Sequence, residues 1–289
     1  MQPNPLLYVR IAGGIVVVSF GAILVRLAQE APPLAIAAWR LTLAAALVAP
    51  WAYARRARSP RPRGTDVAWS VASGVALALH FVLWISSLEY TSVASSVLLV
   101  TTHPIFVGLG SRLFLRERLS QRMVLGILLA LAGGGLVGAA DFQFRGMALV
   151  GDALALGGGL AAAAYFLIGR RVRRATSTSN YIAMTYGVAA AVVLAISAAT
   201  AVPLVGFSRS TIAYLVLLAL GPQLLGHSTF NWALKHLPAS SLSLLILGEP
   251  IGSTLLAVLF FGEQPTVLNA VGAAVILVGI YVSIPRREA

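Results

Sequence analysis

The residues best suited to chemistry in this chain are those that an apolar helix should reject. His103 stands directly before Pro104 inside the run "LLVTTHPIFVGLG" (98–110), and Glu249 directly before Pro250 inside "LLILGEPIGSTLL" (244–256). An imidazole or a carboxylate in such surroundings can hold an ammonium group, a proton or a water. Each proline also lacks the amide that would bond the carbonyl four residues earlier, so the carbonyls of Val100 and Ile246 are expected to be free acceptors, with Pro104 and Pro250 as helix joints. Other candidates fall in similar runs. Leu77, His80, Phe81 and Trp84 share one helix face, and Gln223, His227 and Asn231 recur at i, i+4 and i+8. Tyr165 follows the small-residue stretch "GGGLAAAA" (157–164). Rings at Trp84, Tyr165 and Trp232 suit stacking on an aromatic ligand or covering a cation. Each group also has a plain structural alternative. A histidine or Glu249 can bond a neighbouring helix, and Trp232 can belong to an interfacial belt. Arg40 is expected to snorkel or to neutralise a carboxylate across helices, and Asp152 to cap a helix start.

The elements that must carry these residues are membrane helices. The 289-residue chain is 58% hydrophobic and 10% charged, with a mean hydropathy of +0.88. A soluble domain carries about a quarter charged residues, so this composition cannot coat a water-facing surface. Spans of ~20 apolar residues fit ten times, at about 6–28, 34–53, 67–88, 92–114, 122–140, 147–168, 180–200, 211–234, 239–261 and 266–284. No alternating segments of ~10 residues suggest a barrel. The first span lacks a small-residue cleavage site after it and reads as a retained helix.

The net charge of +12 is a topology signal. Arg55, Arg56, Arg58, Arg61 and Arg63 follow span two, Arg112, Arg116, Arg118 and Arg122 flank the loop after span four, and Arg170, Arg171, Arg173 and Arg174 follow span six. Lys235 follows span eight, and Arg286 and Arg287 follow span ten. The alternate loops hold only Arg26, Arg145 and Arg209. Positive charge gathers on the cytoplasmic side, so both termini are expected there, in the inner (plasma) membrane of the cell. The lipid bilayer is the expected partner of this charge, and nucleic acid is not.

The chain also repeats itself. Residues 87–134 lie over 233–280 without a gap, at an offset of 146. Pro104 falls on Pro250, Glu117 on Glu263, Gly126 on Gly272 and Gly133 on Gly279, and His103 is equivalent to Glu249. The unit holds five spans, an odd number, so the second copy must insert upside-down. Two inverted repeats about a mid-membrane site are an arrangement typical of secondary transporters. The expected organisation is a repeat over 1–142 and an inverted repeat over 143–289.

The motifs "SLEYTSVAS…HP…FLRE" and "ALKHLPAS…EP…FFGE", each followed by a glycine-spaced final helix, resemble the EamA-type repeat of the drug/metabolite transporter superfamily. The likeness covers nearly the whole chain. It implies a cavity lined by spans one, three, four, six, eight and nine, with spans five and ten packed outside. The polar and aromatic residues are similar to those of YddG-like amino-acid exporters. The function implied is export of a small metabolite, foremost an amino acid, by alternating access, with protons as a possible coupling ion. Drugs or other metabolites on the same frame are the alternative, and an intramembrane lipid-modifying enzyme a more remote one. Substrate contacts are expected from His80, Phe81, Trp84, His103, Tyr165, His227, Asn231 and Glu249.

Several chemistries are not supported. The chain has no cysteine, its four histidines lack metal-ligand spacing, and no Ser-His-Asp order suggests a hydrolase. "GGGLVG" (133–138) matches a dinucleotide fingerprint but lies inside a span with no preceding strand, so it reads as close helix packing. No phosphate-binding loop is present, so no ATP-driven step and no cofactor is expected. A monomer is expected.

Overall fold

The structure is a computed structural model, described over residues 5–55, 63–91, 93–117, 119–139, 146–262 and 266–283. Arg56, Arg58, Arg61, Arg118, Arg145, Glu263, Arg286 and Arg287, used above for topology and repeat, lie outside the described residues. The elements are helices α1 (Pro5–Leu27), α2 (Pro33–Arg55), α3 (Gly64–Ser87), α4 (Val93–Val100), α5 (His103–Leu113), α6 (Gln121–Ala139), α7 (Met147–Arg173) and α8 (Thr178–Ala199). They continue with α9 (Arg209–Leu218), a π-helical segment (Ala219–His227), α10 (Ser228–Ala233), α11 (Ala239–Ile246), α12 (Glu249–Phe261) and α13 (Val267–Ser283).

Eight segments among the described residues are long and apolar enough to cross a bilayer. They are α1, α2, α3, α7, α8 and the composite stretches Ser95–Leu113, Arg209–Ala233 and Ala239–Phe261. The apolar parts of α6 and α13 are shorter, Gln121–Leu136 and Ala270–Ser283. An all-helical multi-pass membrane protein follows, because a backbone in hydrocarbon must satisfy its own hydrogen bonds.

Three expected spans are interrupted, each at a proline. The fourth breaks between Val100 and His103, and the ninth between Ile246 and Glu249, with Pro104 and Pro250 in the first turns of α5 and α12. Thr101 and Thr102 close the end of α4 by donating their hydroxyls to the carbonyls of Val97 and Leu99 at 2.6 and 2.7 Å. Such back-bonding replaces the helical ladder where it stops. The eighth span widens to the π-helical segment around Pro222, which removes one amide from the ladder and rotates the residues beyond it.

The polarity is inside-out relative to a soluble protein. Val16, Leu113, Phe114, Leu225, Leu259 and Val271 are exposed, whereas Arg40, Gln223 and Asn231 are buried. Helix contacts follow the offset of 146. The α1–α12 pairing answers α7–α5, the packing of α1 on α9 and the π-helical segment answers α7–α3, and α2 meets its own counterpart α8. The same is true of α6 and α13. A Cβ on Gly126 would stand 2.6 Å from the Gly279 carbonyl oxygen, and one on Gly133 would stand 2.6 Å from that of Gly272. Gly126 therefore faces the counterpart of Gly133, and Gly133 faces the counterpart of Gly126. Only two equivalent helices running antiparallel about a two-fold axis make that reciprocal contact. The glycines allow it because a side chain at either position would collide with backbone.

Candidate functional site

The interruptions in α4–α5, α9–α10 and α11–α12 aim their polar groups at one place. A cavity of about 40 Å³ lies inside the bundle, lined by His80, Phe81, Trp84, His103, Tyr165, His227 and Glu249 together with Arg40, Val18, Phe166 and Phe230. Seven of the eight expected substrate contacts thus lie together, contributed by α3, α5 and α7, the π-helical segment and α12. The volume holds about three waters and is well below the roughly 300–1000 Å³ of a small-molecule site.

His80 donates through Nδ1 to the Gly158 carbonyl at 3.0 Å, and its ring lies parallel to Trp84 with centroids 6.3 Å apart. Gly158 and Gly159 permit this approach, since a Cβ on either would press on the backbone of α3 or α4. His103 donates through Nδ1 to the Val100 carbonyl at 3.2 Å and packs on Phe166. The Val100 carbonyl is therefore occupied, contrary to the sequence expectation, because the broken helix lets the next imidazole reach back. At the second joint, Pro250 denies the Ile246 carbonyl its i+4 amide, and Ile246 lines the cavity. Shielded polar atoms without a partner among the described residues include Arg40 Nη1, Trp84 Nε1, His103 Nε2, His227 Nδ1 and Gln223 Nε2. Buried polar atoms are nearly always bonded, so this concentration of free valences marks a place for water or ligand.

Asn231 stands one layer behind the cavity. Its Oδ1 accepts from the Tyr165 hydroxyl at 2.7 Å and its Nδ2 donates to the Tyr186 hydroxyl at 3.3 Å, and its carbonyl accepts from Arg173 Nε at 2.9 Å. Gln223 and Asn231 share Tyr186, whose hydroxyl meets the Gln223 carbonyl at 3.4 Å and the Asn231 Nδ2 at 3.3 Å, while His227 lines the cavity. Asp152 is no cap either: it lies in the second turn of α7 and accepts from Thr91 Oγ1 at 2.9 Å. Spans one, three, four, six, eight and nine line the cavity, but span two joins them through Arg40. Its signal in the sequence is a lone charge inside an apolar run, which the snorkelling expectation underweighted.

Two straps tie the bundle at opposite ends of the α9–α10 span. Near Ser208, Glu30 accepts from the Ser208 hydroxyl and amide and from Thr211 Oγ1. These bonds hold the Glu30 carboxyl below its ordinary range, the Ser208 side chain contributing most. A carboxylate depressed on folding stabilises fully above its unfolded pKa and loses that contribution as pH falls through the folded one. Lowering the pH from 7 to 3.5 is therefore expected to reduce the melting temperature by less in Glu30→Gln than in the wild type. Thermal unfolding of both proteins across that range checks it. Near Leu234, Arg170 donates to Glu117 Oε1 at 2.9 Å and to the Leu234 carbonyl at 2.7 Å, and Arg174 reaches the same Glu117 oxygen at 2.8 Å. Glu117→Gln leaves two half-satisfied guanidinium groups and is expected to cost about 1–3 kcal/mol, measurable as a lower melting temperature in detergent.

Membrane helices packed around an internal cavity lined by aromatic and polar side chains define a polytopic membrane protein. Residues 6–138 and 149–284 both match the EamA-like transporter family. The chain belongs to that family and is a membrane transporter. An uncharacterised transporter of Archaeoglobus fulgidus is 24% identical over 268 residues, 90% of each chain. The uncharacterised transporter YwfM of Bacillus subtilis is 28% identical over 284 residues, 90% of this chain and 88% of the relative. A crystal structure at 23% identity superposes with a TM-score of 0.79 over 98% of this chain and 97% of the other, a likeness of fold.

Proposed function

We propose that the chain is a secondary transporter of ten spans, built from inverted repeats over 1–142 and 143–289, with both termini cytoplasmic. It exports small metabolites, foremost neutral amino acids with aromatic or other apolar side chains, across the inner membrane by alternating access. The observation that carries this reading is an internal cavity to which both repeats contribute, His103 and Glu249 from equivalent positions. The reciprocal glycine contact of α6 and α13 supports the inversion. The two straps are natural opposing closures, since opening one while the other holds exposes the cavity to one side at a time. A space of about 40 Å³ must widen to admit such a solute, and the joints at Pro104 and Pro250 are where the helices can give.

Counterflow in liposomes tests the reading, with labelled phenylalanine, leucine and methionine, with and without a pH gradient. Protein-dependent exchange of at least one is expected. Exchange of cationic dyes with none of the amino acids would replace the substrate class, and no exchange at all would overturn the proposal.

A further inference from the structure

Arg40 is a charge in the interior of a membrane bundle. It is 1% exposed, its Nε donates to Gln223 Oε1 at 2.8 Å, and its guanidinium lies over Phe81 with Cζ 3.9 Å from the ring centroid. Neither partner carries a charge. Its Nη1 is shielded and has no partner among the described residues. No ion pair joins Arg40 to Glu249 or to another carboxylate among the described residues, although Arg40 and Glu249 line the same cavity from opposite repeats.

An unpaired buried charge is expensive, and removing one partner of a buried pair typically costs several kcal/mol. A site that holds a cation and a carboxylate apart in one small space is therefore suited to something that bridges them. The other polar groups of the cavity divide the same way. Trp84 Nε1, also shielded and without a partner among the described residues, can only donate. Ile246 lines the cavity one turn from Glu249, and its carbonyl, which Pro250 denies an i+4 amide, can only accept. Guanidinium and indole N–H groups lining one cavity match a carboxylate, and a carboxylate with a carbonyl oxygen matches an ammonium group.

We propose that the cavity is a charge clamp for a zwitterion, its carboxylate end held by Arg40 and Trp84 Nε1 and its ammonium end by Glu249 and the Ile246 carbonyl. The proposal rests on the transporter reading and deepens it, assigning Arg40 as a residue that selects substrate. The bound zwitterion spans from α2 of one repeat to α12 of the other, so its two charges draw the halves together only when both are present. A lone amine leaves Arg40 unpaired, and a lone acid leaves Glu249 unpaired.

The test compares phenylalanine, phenethylamine and 3-phenylpropionate as ligands of the purified full-length protein, by thermal shift and by competition against labelled phenylalanine in counterflow. In the wild type, only phenylalanine is expected to stabilise and to compete. Arg40→Met is expected to lose at least tenfold in phenylalanine affinity and to turn toward the amine. Glu249→Gln is expected to lose a similar factor and to turn toward the acid, while Arg40→Lys keeps the wild-type order with weaker binding. A purely structural role for Arg40 predicts no such opposite reversal. Both variants keeping the wild-type order within about twofold would overturn the clamp, as would wild-type binding of the amine or the acid as tight as that of phenylalanine. Ligand shifts in the expected order with no counterflow would uphold the clamp and instead refute the transporter reading.

Discussion

Gly133→Leu is expected to prevent the two repeats from joining correctly. The leucine Cβ would stand 2.6 Å from the Gly272 carbonyl oxygen and 2.7 Å from the Ile276 amide nitrogen. Both obstacles are backbone, so neither can rotate away. Overpacking against movable side chains costs about 1–3 kcal/mol, and here the cost is expected to exceed that range because α6 and α13 must separate along their length. The expected result is loss of the monodisperse peak on size exclusion, or a melting temperature lower by more than 10 °C. Gly135→Leu is the control. Its Cβ meets nothing within 4 Å and its position is exposed, so it is expected to fold as the wild type does. Equal behaviour of the two variants would show that the antiparallel glycine contact does not hold the halves.

Asn231→Leu is expected to reduce transport at least tenfold without unfolding the protein. The Tyr165 hydroxyl loses its only partner among the described residues, at 2.7 Å, and a buried hydroxyl left unpaired costs about 1–3 kcal/mol. Tyr186 keeps contacts to Ser228 Oγ at 3.1 Å and to the Gln223 carbonyl at 3.4 Å, so the damage centres on Tyr165, a wall of the cavity. Tyr165→Phe removes the hydroxyl with its need for a partner and is expected to be milder. Combined, the two changes should be less harmful than the sum of the single effects, because residues in direct contact are not additive. Initial rates of counterflow and melting temperatures for the four proteins check this. Full additivity would separate Asn231 from the cavity wall.

Much of the fold could be read from composition and spacing, for reasons specific to lipid. A backbone in hydrocarbon has one economical local solution, so apolar runs of ~20 residues translate directly into helices. The expected spans 122–140 and 34–53 begin one residue after the starts of α6 at Gln121 and of α2 at Pro33. Interruptions were harder to place. Pro104 and Pro250 announced joints, and the structure supplied their form: two short helices meeting at Thr101–Thr102 and at Leu247–Gly248. Pro222 announced nothing in a periodicity argument, since the pattern 223, 227, 231 assumes 3.6 residues per turn. The π-helical winding over Ala219–His227 departs from that assumption.

The site divides along the same line. Polar residues in a span are costly wherever they lie, so the sequence by itself could nominate His80, His103, His227 and Glu249 as special. It determined the helical membrane class, the repeat of 146 residues and the equivalence of His103 with Glu249. Only the tertiary structure decided which of these groups meet, because partners such as Arg40 and Gln223 are 183 residues apart in the chain. Local spacing says which face a residue occupies on its own helix. It carries no information about which other helix covers that face, and the cavity is made entirely of such pairings.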